Sequence, residues 1–210
     1  MSWVVVLFTL VSVFAAEVRA DEIGCPDGSE LRGNPPPRGQ KQWCVSPDGT
    51  QDGPSVFWYP SGQKAVLATF RGDRLHGLYR EWYEDGTLKE EGRYEDDQKV
   101  GVYRTWHANE KRATEETWEE GRHDGPSTVW YENGQKRAEQ HYREGLREGP
   151  AATWYEDGKK QTEGQFETGE YDGKWTGWWE DGSLKKVAEF EAGKEVSREF
   201  FGKGEKPGGD

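Results

Sequence analysis

Six rings recur at one fixed interval: Tyr59, Tyr83, His107, Tyr131, Tyr155 and Trp179. Such a ladder is the arrangement in this chain best suited to binding chemistry. Its rings could stack on sugar faces, or box a quaternary ammonium such as choline by cation–π attraction. The competing reading is that the rings only cover their own sheet, since aromatic pairs stabilise a fold wherever they pack. Cys25 and Cys44 are the two cysteines, with no CxxC spacing and no histidine nearby. They read as one disulfide rather than a metal or redox site. The histidines His76, His107, His123 and His141 show no ligand spacing, and the motifs of common hydrolases, nucleotide binders and metalloenzymes do not occur. Glu84-Asp85, Glu156-Asp157 and Glu180-Asp181 offer oxygen ligands of the kind calcium takes. Pro60-Ser61 interrupts that series, and the pairs read as solvated turns. No catalytic residue, metal site or cofactor is assigned, and the chain reads as non-enzymatic.

The elements that position these rings follow from the same interval. Gly53, Gly77, Gly101, Gly125, Gly149 and Gly173 stand twenty-four residues apart without insertion or deletion. Each is followed by a tryptophan of a second column: Trp58, Trp82, Trp106, Trp130, Trp154 and Trp178. Further on comes another aromatic, Phe70, Tyr94, Trp118, Tyr142, Phe166 or Phe190. A fixed period of this length defines a repeat array. In the second unit, Leu78 to Tyr83 has strand composition, Glu84-Asp85-Gly86 is a turn, and Thr87 to Tyr94 is a returning strand. Each unit is therefore a β-hairpin plus a short polar link. The third unit has Glu110 where the others have the turn glycine, and Asn109 is the expected positive-φ residue there. Aliphatic residues are scarce, so the Trp column is the expected structural core. The small residues Ala68, Gly92, Gly164 and Ala188 are expected to make room for its indoles. Alternation then puts the Tyr59 column on the opposite face.

The Trp-Tyr pair, the glycine turn and the glycine that opens each unit resemble MORN repeats, in their variant form. One unit reads Gly125-Pro126-Ser127-Thr128-Val129-Trp130-Tyr131-Glu132-Asn133-Gly134-Gln135-Lys136. The chain is similar to bacterial YwqK-type antitoxin/MORN repeat proteins. The resemblance implies an all-β, elongated, twisted antiparallel sheet of six tandem hairpins. Six hairpins make twelve strands.

The ends complete the domain map. Residues 1–20 hold an apolar run of signal-peptide length, with Ala20 before the expected cleavage point. An uncleaved anchor is the alternative. Residues 21–52 form a cap carrying the Cys25–Cys44 bond. The units are 53–76, 77–100, 101–124, 125–148, 149–172 and 173–196, and residues 197–210 form a strand end and a disordered tail. The formal charge of −12 disfavours nucleic acid and anionic membrane surfaces, which need a basic patch. These features together describe an exported protein, secreted or periplasmic, that acts as a protein–protein interaction scaffold. The alternatives are a cell-envelope carbohydrate- or choline-binding module using the Tyr59 column, and an antitoxin or immunity-type protein neutralising a toxin.

Overall fold

The computed structural model describes residues 23–204; the proposed signal segment and residues 205–210 lie outside the described part. One antiparallel sheet holds all sixteen strands, essentially in chain order. An N-terminal hairpin, β1 (Glu30–Asn34) and β2 (Lys41–Val45), leads into the array. The first three repeat hairpins are β3 (Gln51–Trp58) with β4 (Lys64–Arg71), β5 (Arg74–Trp82) with β6 (Leu88–Glu95), and β7 (Gln98–Trp106) with β8 (Arg112–Glu119). Next come β9 (Arg122–Trp130) with β10 (Lys136–Arg143), the split strand β11 (Leu146–Arg147) and β12 (Gly149–Trp154) with β13 (Lys160–Glu167), and β14 (Glu170–Trp178) with β15 (Leu184–Glu191). The last strand, β16 (Lys194–Phe200), adds to β15. The cap and the C-terminal segment are thus part of the sheet itself. Among the described residues no helix is long and apolar enough to cross a membrane.

Two kinds of turn join the strands. Between the strands of one unit, the ring residue of the Tyr59 column opens the turn. Tyr83, for example, donates its N–H to the Thr87 carbonyl at 2.8 Å and accepts from the Gly86 N–H at 2.9 Å. The third unit keeps this pattern, but the positive φ falls on Glu110, at 64°, and not on Asn109 as the sequence suggested. Asn109 uses its side chain instead: Oδ1 accepts from the Lys111 N–H at 3.1 Å, the bond Asp85 makes with Thr87 in the second unit. A side-chain oxygen that closes the turn two residues on must stay outside the left-handed position itself.

Between units the links are two-residue turns with positive φ at both central positions, among them Asp96-Asp97, Thr168-Gly169 and Ala192-Gly193. This is the turn whose twist matches that of the flanking strands. Each turn is tied to the one before it. Asp97 donates its N–H to the Leu75 carbonyl at 2.9 Å, and its carboxylate accepts from the Leu75 N–H at 2.8 Å.

The period glycines are bulge residues. Ala68 faces Tyr79 and Phe70 faces Leu75, so Thr69 alone opposes His76, Gly77 and Leu78. Gly77 takes a φ of 111° there, which side chains rarely adopt, and it lies opposite Tyr94 on its other flank. Two extra residues stand on the glycine strand here, and the same one-against-three irregularity recurs at Gly101, Gly125 and Gly173.

The deepest burial runs along one row across the sheet. Numbering each unit from its glycine, position 3 pairs with position 16: Ser55 with Ala68, Tyr79 with Gly92, Trp175 with Ala188. Ser55, Ala68, Tyr103, Ser127 and Ala188 on this row are all at most 3% exposed. Where the row carries a large ring, a small residue lies against it. A Cβ on Gly92 would lie 2.0 Å from the Tyr103 ring, and one on Gly164 would lie 2.2 Å from the Trp175 indole. The small residues do make room for rings, but for these rings and not for the Trp58 column. Position 6 and position 16 have opposite parity in the register, so they point to opposite faces.

Two substitutions test this arrangement. Gly92→Ala collides with the Tyr103 ring and is expected to lower stability by about 1–3 kcal/mol. Thr168→Asn replaces a β-branched residue at a φ of 49° and is expected to raise stability by about 1 kcal/mol. Urea unfolding of the two variants against the parent protein checks both.

Candidate functional site

The Tyr59 column forms the most regular side-chain arrangement in the molecule. Tyr59, Tyr83, His107, Tyr131, Tyr155 and Trp179 are all half-buried. Each reaches across to the main chain of the next hairpin. The phenols of Tyr59, Tyr83, Tyr131 and Tyr155 donate to the carbonyls of Trp82, Trp106, Trp154 and Trp178, at 2.8–2.9 Å. His107 Nε2 lies 3.0 Å from the Trp130 carbonyl, a contact that requires the proton on that nitrogen. Trp179 Nε1 donates to the Phe201 carbonyl at 3.2 Å, where the array ends. What the six rings share is therefore not only aromatic area but a polar hydrogen at the tip. Phenylalanine never stands in this column.

The Trp58 column lies on the opposite face. Trp58 is buried with Val56 and Leu67, against Ile23, Leu78 and Trp82. Trp82, Trp106, Trp130, Trp154 and Trp178 are half-buried. Basic side chains cover several of them: Arg112 lies over Trp106 at 5.1 Å, Lys136 over Trp154 at 5.9 Å and Lys160 over Trp178 at 5.9 Å. Such contacts let long basic side chains shield an indole while the charge stays in water.

The same face carries an acidic column that the sequence reading missed. Glu91, Glu115, Glu139 and Glu163 occupy position 15 of four consecutive units. Its signal was there as a strict recurrence, hidden by the abundance of carboxylates. Position 3's neighbour on this face decides what each glutamate does. Arg80 Nε meets Glu91 at 2.8 Å, and Arg104 Nε meets Glu115 at 2.8 Å, while Arg112 also bonds Glu115. The two guanidinium hydrogen bonds hold the Glu115 carboxyl below the usual range. The fourth and fifth units have Thr128 and Ala152 in place of the arginines. Glu139 and Glu163 pair instead with Lys136 and Lys160, three residues earlier on their own strands. The short side chain of Ala152 lines a groove of about 480 Å³ bordered by Glu139, Glu163, His141 and Lys174.

The remaining candidate groups have local roles. Cys25 and Cys44 are bonded, and Cys44 on β2 is fully buried. The bond joins the chain ahead of β1 to the second strand of the cap, and points to an oxidising compartment, extracellular or periplasmic. Hydrogen bonds hold three turn carboxyls below the usual carboxylate range: from the Thr87 N–H to Asp85, from the Lys159 side chain and N–H to Asp157, and from the Ser183 hydroxyl and N–H to Asp181. Among the described residues no cluster of His, Cys, Asp and Glu is arranged to hold a metal ion. His123 is wedged between Trp118 and Tyr142, with ring centroids 3.7 and 4.8 Å away. Burial lowers its pKa, opposed by Glu116 and reinforced by Lys99. His76 and His141 stand elsewhere and do not converge with it.

Residues 75–96, 124–144, 147–168 and 171–192 match the model of the MORN repeat variant. The chain is thus a β-hairpin repeat protein that carries MORN-variant repeats at these four places. The matched segments coincide with the second, fourth, fifth and sixth hairpins. The first and third hairpins share their backbone but carry Pro60-Ser61 and Asn109-Glu110 in the turn. No curated protein matches the chain.

Three measurements follow. His107→Tyr keeps the donor and is expected to leave stability unchanged, whereas His107→Phe is expected to cost about 1 kcal/mol in urea unfolding. Replacing both cysteines by serine opens a loop with a sequence separation of 19 and should cost about 3 kcal/mol. The lowered pKa of His123 means that the unfolded chain takes up its proton first as pH falls. Its contribution is present above about pH 6.5 and lost below it. The drop in melting temperature between pH 7 and pH 5 should be smaller in His123→Gln than in the parent.

Proposed function

We propose that this protein is a non-enzymatic, exported interaction scaffold whose partner is another protein, taken up by strand addition at the C-terminal end of the sheet. MORN repeats often serve as protein-interaction or membrane-binding modules. The formal charge of −12 favours the first role here, because anionic lipid attracts basic surfaces. The observation that carries the proposal is β16. All seven of its residues are exposed, including Val196 at 52% and Phe200 at 64%. One flank pairs with β15, and among the described residues no strand lies on the other. A bare edge with exposed apolar side chains is a template for an extended segment of a second chain. Main-chain bonds would supply affinity, and the alternate side chains Val196, Arg198 and Phe200 would supply selectivity.

The disulfide supports a place outside the reducing cytosol. Carbohydrate or choline binding through the Tyr59 column draws less support, because the ring tips are engaged with the neighbouring hairpin. A toxin is one protein partner that such an edge would take, as the antitoxin resemblance implies.

The test is a pull-down from the native source with the full chain and with a Val196→Lys, Phe200→Glu double variant. The parent should retain a defined protein partner, and the double variant, with an unchanged circular dichroism spectrum, should lose it. Equal recovery by both would place the interaction elsewhere.

A further inference from the structure

Gly177 is the one mid-strand glycine of the array that neither backbone nor packing requires. Gly92 and Gly164 are forced by the rings lying against them, and the period glycines by their bulge conformation. Gly177 has an ordinary φ, and a Cβ built on it would come no closer than 3.7 Å to any atom. The equivalent residues of the other units are Phe57, Glu81, Thr105, Val129 and Thr153. In the fifth unit Thr153 fills the site and hydrogen-bonds to Thr162 at 2.6 Å. In the sixth the side chain is missing, and a cavity of about 340 Å³ stands there.

Its lining is unlike the rest of this acidic surface. Tyr171, Trp175 and Phe190 supply aromatic surface, Thr162 a hydroxyl, and Lys185 and Lys186 two ammonium groups. The rings brace each other: Tyr171 meets Trp175 edge-on at 4.7 Å and stacks on Phe190 at 5.1 Å. Tyr171 is nevertheless 43% exposed, so it keeps free ring surface. Lys186 is neutralised by Glu195 at 2.7 Å. Lys185 is exposed, lies over the Trp179 ring at 4.5 Å, and pairs with no carboxylate among the described residues.

We propose that the glycine-floored cavity of the sixth repeat is a binding site for an acidic sugar, a pyranose ring bearing a carboxylate. The aromatic wall matches the apolar face of a pyranose. Thr162 and the neighbouring Gln161 can exchange hydrogen bonds with its hydroxyls. Lys185 supplies the charge for the carboxylate, and a charge-assisted hydrogen bond of this kind is among the stronger ones. The cavity volume is near the lower limit for small-ligand sites, which suits one ring rather than an extended chain. The same ammonium group repels choline and other cations. The cavity touches β16 through Lys186, and the sugar titration and the edge-variant pull-down read the two proposals separately.

The experiment is a titration of the full chain with oligosaccharides of glucuronate and galacturonate, followed by tryptophan fluorescence and ligand-observed NMR. Neutral oligosaccharides of the same length, choline and an acidic peptide are the comparison ligands. The parent should bind the acidic sugars in preference to all three. Gly177→Thr restores the side chain of the fifth unit and should weaken binding about tenfold or more, with thermal stability retained. Lys185→Gln should leave sugar binding in place while removing the preference for acidic over neutral sugars. Absence of acidic-sugar binding, equal binding by Gly177→Thr, or a preference for choline, neutral sugar or peptide would each overturn the assignment.

Discussion

The structure depends on one hydrogen bond repeated along its length, from the ring tip of one hairpin to the tryptophan carbonyl of the next. A two-stranded hairpin is marginal by itself, because it has too little apolar surface to bury. The bond from Tyr59 to Trp82, and its equivalents down the array, fixes each turn to its neighbour. It also ties the half-buried ring to the following hairpin, so the same residue supplies apolar surface and a directed polar bond. The acceptor is main chain, so the tryptophan side chain is free to serve the opposite face. That division explains why adjacent aromatics recur in every unit without competing for one core.

The opposite edge of the sheet is held by different means. Paired left-handed residues make the links between units, and carboxylates such as Asp97 reach back to the preceding turn. Between the two edges, rings on the buried row fit against small residues, with Tyr103 over Gly92 and Trp175 over Gly164. Each hairpin is therefore fixed at both ends and interlocked in the middle. The stabilising contacts run only between neighbours, as expected for a linear repeat protein. Surface residues that do not serve this framework are free to differ from unit to unit. The acidic groove of the fourth and fifth units, the cavity of the sixth and the bare edge of β16 all arise from such differences.

Much of this was legible in the sequence. The period, the hairpins, the turn residues and the Cys25–Cys44 bond could be read directly, because each rests on local chemistry or simple spacing. What could not be read was register. Whether position 3 or position 6 lies opposite the small residue depends on a one-residue bulge inside each hairpin, such as Ala65 between the pairs Trp58–Lys64 and Phe57–Val66, which shifts the parity between strands. The partner of Gly92 was for that reason expected to be an indole of the Trp column and is instead Tyr103. The left-handed residue of the third turn fell on Glu110 because the Asn109 side chain was needed for the turn bond. The donor column left a clue that register does not obscure: tyrosine, histidine and tryptophan occur in it, and phenylalanine does not. Gly177 was silent in the sequence, where a glycine that is needed and one that is not look the same.

The central claim is that ring-tip hydrogen bonds, beyond the apolar contact of the rings, hold successive hairpins together. Simultaneous replacement of Tyr59, Tyr83, Tyr131 and Tyr155 by phenylalanine removes four hydroxyls and leaves every ring. The four sites lie in different hairpins and share no bond, so their losses should add. Equilibrium urea unfolding of this variant should show a loss of about 4 kcal/mol, near 1 kcal/mol for each bond. A total loss below about 1 kcal/mol would contradict the account and assign the cohesion of the array to packing alone.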